Sequence, residues 1–221
     1  LESADIVVTA QRVQSKAMSA PVAVTAVSES LGDLKLYRIP VPVTFAARSQ
    51  KQVAFLSADK VRGELVYRSQ VWREPESPEM LFRFRNRKSE GLGDPLPAGK
   101  VVLYQDSKFG RALVGESTLR DKTTDEEVEI VFGEPSGVTI DSSDALDARK
   151  RWTTVTSTIR NANPFAVRFE IEFPTGRGYA YRGLPGKLVS KPGKKVWAVT
   201  LPPGSETRLT FRVAEIEDAA D

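Results

Sequence analysis

The sequence predicts an all-β fold, one or two packed antiparallel β-sandwiches with little helix. Three observations carry this. Short apolar runs alternate with polar residues at a period of two, as in Leu81–Arg87, where Phe82 and Phe84 fall on one face and Arg83, Arg85 and Arg87 on the other. The 15 glycines and 14 prolines fall between such runs and punctuate them. No stretch longer than about ten residues repeats at the helical period.

Taken in order, the predicted strands begin with Asp5–Ala10 and Val22–Val27, separated by the polar stretch Gln11–Ala20. Leu34–Arg38, Val43–Phe45, Lys51–Ala58 and Gly63–Trp72 follow, then Leu81–Arg87. A Gly/Pro-rich connector, Glu90–Gly99, leads to Lys100–Gln105, Ala112–Ser117, Glu127–Phe132 and Val138–Asp141. Ser142–Arg149 is expected to hold a helical turn capped by Ser143 or Asp144. The remaining strands are Trp152–Asn161, Ala166–Phe173, Tyr179–Arg182, Lys195–Leu201 and Glu206–Val213, before an acidic tail expected to fray. The charge-dense stretch Asp141–Arg151 is the expected seam between two strand-rich halves.

The chain has 221 residues, 32 basic and 29 acidic, with no His and no Cys. The two absences exclude His triads, thiol nucleophiles, disulfides and the usual zinc sites. No run of about 18 apolar residues is present to span a bilayer as a helix. The chain starts at Leu1 without a signal-like segment and reads as an excerpt or a processed form.

Motifs with chemical content are few. Ser57-Ala-Asp-Lys60 spells the S-x-x-K of serine–lysine acyl enzymes, but it sits at a strand end rather than on a helical turn. Gly93–Lys100 imitates a phosphate loop with the wrong spacing and no helix after it. Asp141, Asp144 and Asp147, like Asp125, Glu126, Glu127 and Glu129, lack the alternating spacing of a calcium loop and read as a capped turn and a solvated acidic loop. Glu170 and Glu172 share a strand face but serve a glycosidase only with a partner across a cleft. The Phe82–Arg87 alternation reads as a sheet with Phe inward and Arg outward, not as a nucleic-acid platform. Tyr179, Tyr181 and Trp197 are candidates for a sugar-stacking platform, or for core aromatics. No catalytic residue, metal ligand or cofactor is expected.

From Gly32 onward the order of segments resembles a bacterial family, the C-terminal domain of proteins similar to mucoidy inhibitor A. The likeness runs through Gly32-Asp-Leu-Lys-Leu-Tyr-Arg-Ile-Pro40 with Val43-Thr44, Ser49-Gln-Lys-Gln-Val53 and Leu96-Pro-Ala-Gly-Lys-Val-Val-Leu-Tyr-Gln105. It continues through Val114-Gly-Glu116 with Leu119, Glu127–Gly133, and the block from Thr158-Ile-Arg-Asn161 to Pro202-Pro-Gly204, ending in Leu209–Val213. The resemblance implies an exported, sandwich-rich protein without established catalytic residues. Asp5-Ile-Val-Val-Thr-Ala-Gln-Arg12 and Pro21-Val-Ala-Val-Thr-Ala-Val-Ser-Glu29 resemble instead the TonB box and first plug strand of TonB-dependent outer-membrane receptors, a likeness that stops near Leu31.

The expected organisation is therefore a plug-like segment over residues 1–31, a sandwich module over 32–146, and a second module or continuation over 147–221. The expected function is a non-enzymatic interaction or structural role in the envelope of a Gram-negative bacterium, periplasmic or outer-membrane-associated. An extended segment at Asp5, Ile6, Val7, Val8, Thr9 and Ala10 can add to a partner's sheet, with TonB or an outer-membrane receptor as the expected partner. Against this stands the reading that Ile6–Ala10 and Val22–Val27 are strands of the chain's own sheet, where most apolar strands find their partners. A glycan-binding sandwich using Tyr179, Tyr181 and Trp197 is the alternative, and a hydrolase using Ser57 with Lys60 a distant second.

Overall fold

A computed structural model of the chain describes residues 6–9, 27–31, 34–38, 58, 60–147, 151–176 and 178–216. The fold is all-β, as predicted. The strands are β1 (Ile6–Thr9), β2 (Val27–Leu31), β3 (Leu34–Arg38), β4 (Glu64–Gln70), β5 (Glu79–Arg85), β6 (Gly99–Ser107), β7 (Gly110–Leu119) and β8 (Glu127–Gly133). They continue with β9 (Val138–Leu146), β10 (Thr153–Asn161), β11 (Val167–Pro174), β12 (Tyr179–Arg182), β13 (Leu188–Lys191), β14 (Lys194–Leu201) and β15 (Ser205–Glu215). A three-residue 3-10 turn, Lys88–Glu90, interrupts the connector after β5.

A six-stranded sheet, ordered β13-β14-β11-β4-β5-β8, forms the centre. All its pairs are antiparallel except β11 with β4, which run parallel in the register Arg168↔Val66 to Glu172↔Gln70. A four-stranded sheet, β12-β15-β10-β9, and a three-stranded sheet, β1-β6-β7, pack against it, and β2-β3 is a separate hairpin.

Alternation in the sequence decides which face is buried. On β10, Val155, Ser157, Ile159 and Asn161 point inward and are nearly inaccessible, with Thr154, Thr156 and Arg160 between them outward. Inward residues of β10, β11 and β15, with Tyr67, Val71 and Val138, build one core between the four- and six-stranded sheets. Phe173 meets Phe211 edge-on at 5.3 Å and Tyr181 at 5.5 Å within it.

A second core holds Phe82 and Phe84 of β5 and Val128 and Ile130 of β8 against Val101 and Leu103 of β6. Leu65, packed on the first core, is the register partner of Phe82 in the second. The two cores therefore lie side by side on one face of the six-stranded sheet. There β7 crosses β8 so closely that a Cβ at Gly115 would collide with the Phe132 carbonyl oxygen and Cβ.

The Glu90–Gly99 connector is held by the buried Asn86. Its amide donates to the carbonyl oxygens of Asp94 and Thr123, and its oxygen accepts from the Gly93 N–H. The helical turn expected at Ser142–Arg149 is absent among the described residues. Ser142–Leu146 instead continues β9 against Thr153–Ser157 of β10, with the Ser142 and Ser157 hydroxyls 2.9 Å apart. Ladder hydrogen bonds to β10 outweigh a local cap signal there. The expected seam thus falls in the β9–β10 connection, inside one sheet, and β11, β13 and β14 share a sheet with β4, β5 and β8. The later strands continue the sandwich. β13 was not expected from the sequence.

The strand expected at Val43–Phe45 and all but the last residue of that expected at Lys51–Ala58 lie outside the described residues, as do most of Val22–Val27 and the last five residues of the tail. Among the described residues no helix is long and apolar enough to cross a membrane.

Candidate functional site

Of the expected partner-binding segment, Asp5 and Ala10 lie outside the described residues, while Ile6–Thr9 forms β1. β1 pairs antiparallel with β6, Ile6↔Gln105 to Thr9↔Val102. Among the described residues it is the edge strand of its sheet, joined to it by these four register pairs. The β6–β7 ribbon that receives it ends in an exposed turn, with Phe109 at 90% and Leu113 at 56% relative exposure.

The opposite face of the six-stranded sheet carries charge. Arg83 of β5 binds Glu170 of β11 through two parallel bonds, both 2.9 Å, and Glu129 of β8 at 2.8 Å. Arg68 of β4 binds Glu79 and, at 2.6 Å, Glu129, and Lys194 of β14 donates to Glu172 at 2.7 Å. Arg83 and Glu170 are buried, as are Val66, Leu81 and Val196 on the same face. The face results from strict alternation on adjacent strands, which brings Arg83 of β5 opposite Glu129 of β8 and Glu170 of β11 beside Arg68 of β4.

Burial alone would raise the Glu170 carboxyl, but the bonded Arg83 guanidinium, with Arg168, outweighs it and holds Glu170 below the usual carboxylate range. Glu129 is likewise lowered, burial being more than offset by Arg68 and Arg83. Both stay ionised at neutral pH and hold no proton to give as a general acid. Among the described residues every buried side-chain nitrogen and oxygen has a hydrogen-bond partner.

The three aromatic candidates take packing positions. Tyr179 and Tyr181 on β12 and Trp197 on β14 are half-buried against the same core from two different sheets, and do not share an open platform. The Tyr181 hydroxyl donates to the carbonyl oxygens of Val71 at 3.1 Å and Trp72 at 2.9 Å, so it pins the end of β4. Burial, with a smaller contribution from Tyr179, pushes its pKa up to about 12 from 10.0. In the unfolded chain this phenol ionises first, so the folded state loses stability as pH rises from about 10 to about 12. Urea titrations across that range are expected to show this decline, and Tyr181→Phe is expected to reduce it, with Tyr67, also raised by burial, keeping a share; an equal slope in the variant would assign it to other groups.

Ser57 of the S-x-x-K sequence lies outside the described residues, and Lys60 is exposed. Asp141 and Asp147 are ion-paired with Arg160 and Arg212, and Asp144 lies 4.0 Å from Arg73. Among the described residues no group of three or more carboxylates is placed to hold a metal ion. No family model, curated protein or solved structure matches the chain.

Proposed function

We propose that the chain is a non-enzymatic interaction module of a Gram-negative cell envelope, periplasmic or outer-membrane-associated, which engages a protein partner through its N-terminal strand. The observation that carries this reading is the position of β1, an edge strand held by four register pairs on β6. Such a strand offers its outer backbone groups to another chain, or is itself exchanged onto a partner's sheet edge. The likeness of residues 5–29 to a TonB box and plug start, and of 32–213 to the mucoidy inhibitor A-like domain, supports the compartment and the partner class. The ionised, paired carboxylates of the charged face support a structural rather than a catalytic role for that face.

The test is calorimetric titration of the protein with a purified TonB C-terminal domain, beside a variant lacking Leu1–Arg12. Micromolar binding that vanishes in the variant, with unchanged circular dichroism, is the expected result. Absence of binding by the intact chain overturns the reading for TonB. A deletion that unfolds the protein makes β1 an obligatory strand and overturns strand exchange.

A further inference from the structure

An open groove of about 310 Å³ lies on the charged face, lined by Arg68 and Gln70 of β4, Trp72, Glu172 of β11, Pro192 and Lys194. Its volume sits at the lower end of the roughly 300–1,000 Å³ typical of small-molecule sites. We infer that this groove is a carbohydrate-binding subsite in which a neutral sugar ring stacks on Trp72 and hydrogen-bonds to Gln70, Glu172 and Lys194. The inference is independent of the partner-binding reading above.

Three features point to this ligand. First, the walls are fixed by backbone bonds rather than by loose side chains. The Val71 N–H donates to the Glu172 carbonyl, the Glu76 N–H to the Gln70 carbonyl, and the Thr175 N–H to the Gly193 carbonyl, each at 2.9 Å. A Val71↔Pro75 bridge closes the bend that carries Trp72, and Tyr181 holds that bend from the other sheet. The far wall is the two-residue Pro192-Gly193 turn between β13 and β14, where Gly193 takes φ +74.

Second, the groove keeps uncommitted polar groups. Among the described residues neither the Gln70 amide nor the Trp72 indole N–H has a hydrogen-bond partner, although both residues are half-buried. Lys194 gives one of its three N–H groups to Glu172 and retains two. Donors and acceptors thus stand together beside an aromatic ring, the complement of a molecule with an apolar C–H face and a rim of hydroxyls.

Third, the charge is already balanced. Arg68 is bound by Glu79 and Glu129, and Lys194 by Glu172, which leaves no surplus positive field for a phosphate or a carboxylate. A neutral polyol needs none.

The experiment follows the Trp72 indole and Gln70 side-chain amide resonances of the ¹⁵N-labelled full chain. Cellobiose, maltose and N,N′-diacetylchitobiose are titrated separately, and sodium phosphate is the anionic comparison. At least one disaccharide is expected to move both resonances with a Kd of about 1 mM. Trp72→Ala is expected to weaken that Kd at least tenfold, and Gln70→Ala severalfold, each with an unchanged melting temperature. Silence of both resonances with all three sugars overturns the inference, as does an unaltered Kd in Trp72→Ala. Movement with phosphate alone makes the groove an anion site and overturns it equally. Should Trp72→Ala melt early, Gln70→Ala, which has no side-chain partner to lose, decides: an unchanged Kd overturns the inference.

Discussion

Replacing Arg83 with Met is expected to destabilise the protein by about 3–5 kcal/mol at neutral pH, because it strands the Glu170 carboxylate in a buried position. Glu170 is 3% exposed and receives two of its hydrogen bonds from this one guanidinium. What remains is Arg168 at 3.2 Å, whose side chain is 44% exposed and well screened. The removed charge, not a lost attraction in isolation, sets the size of the effect. The double change Arg83→Met with Glu170→Met is therefore expected to recover most of the loss, since apolar replacements of a buried pair are often neutral or better. Glu129 keeps Arg68 in that variant. Urea denaturation of the parent, both single variants and the double variant measures the cycle. A single Arg83→Met within about 1 kcal/mol of the parent would mean that Glu170 is effectively hydrated. The same lattice fixes the acid limb. Glu129 and Glu170 titrate in the folded state below the 4.5 of an ordinary glutamate, so their contribution is complete above that value and is lost as pH falls through their lowered pKa values.

Phe211→Ala is expected to cost a similar amount, about 3–5 kcal/mol, by a different route. The ring is 1% exposed, meets Phe173 edge-on at 5.3 Å and lies 6.3 Å from Tyr181. Deleting it removes transfer free energy and leaves a void between two sheets that are tied to their own ladders and cannot close over it. For a chain of this size the loss corresponds to roughly 6–20 °C in Tm. Phe211→Leu, which keeps most of the volume, should recover much of it. Equal Tm values for Phe211→Ala and Phe211→Leu would show that the void refills by rearrangement.

How much of this was legible beforehand differs from residue to residue. The alternation of Phe82 and Phe84 with Arg83 and Arg85 gave the strand and its two faces, because side-chain period is a local property. But Arg83, expected to point outward into solvent, is buried because Glu129 and Glu170 on the neighbouring strands cover it. The cap signal at Ser143 and Asp144 misled because ladder pairing with β10, several residues away, decides that segment. β13 escaped notice since Leu188–Lys191 is four residues long, with one strong strand former, and gains its order from β14. Tyr181 was visible as a candidate but not its role, for its bonds reach 109 and 110 positions back. Trp72 was visible as the end of a strand and, with Arg73, as an aromatic–basic pair beside the Phe82–Arg87 alternation. Its place beside Pro192 and Lys194 follows from β11 lying between β4 and β14, a strand order no local pattern encodes.

That strand order has a consequence for how the protein is made. β4 and β11, the two strands at the middle of the six-stranded sheet, lie about a hundred positions apart and pair in parallel. Until residues 167–172 have been synthesised, one long side of β4 has no partner and its Val66 and Tyr67 are uncovered. The nascent chain thus exposes an adhesive edge over the roughly hundred residues of synthesis between the two strands, the state most open to mispairing with other chains. A chain so arranged is least open to mispairing when β4 does not pair until β11 is made.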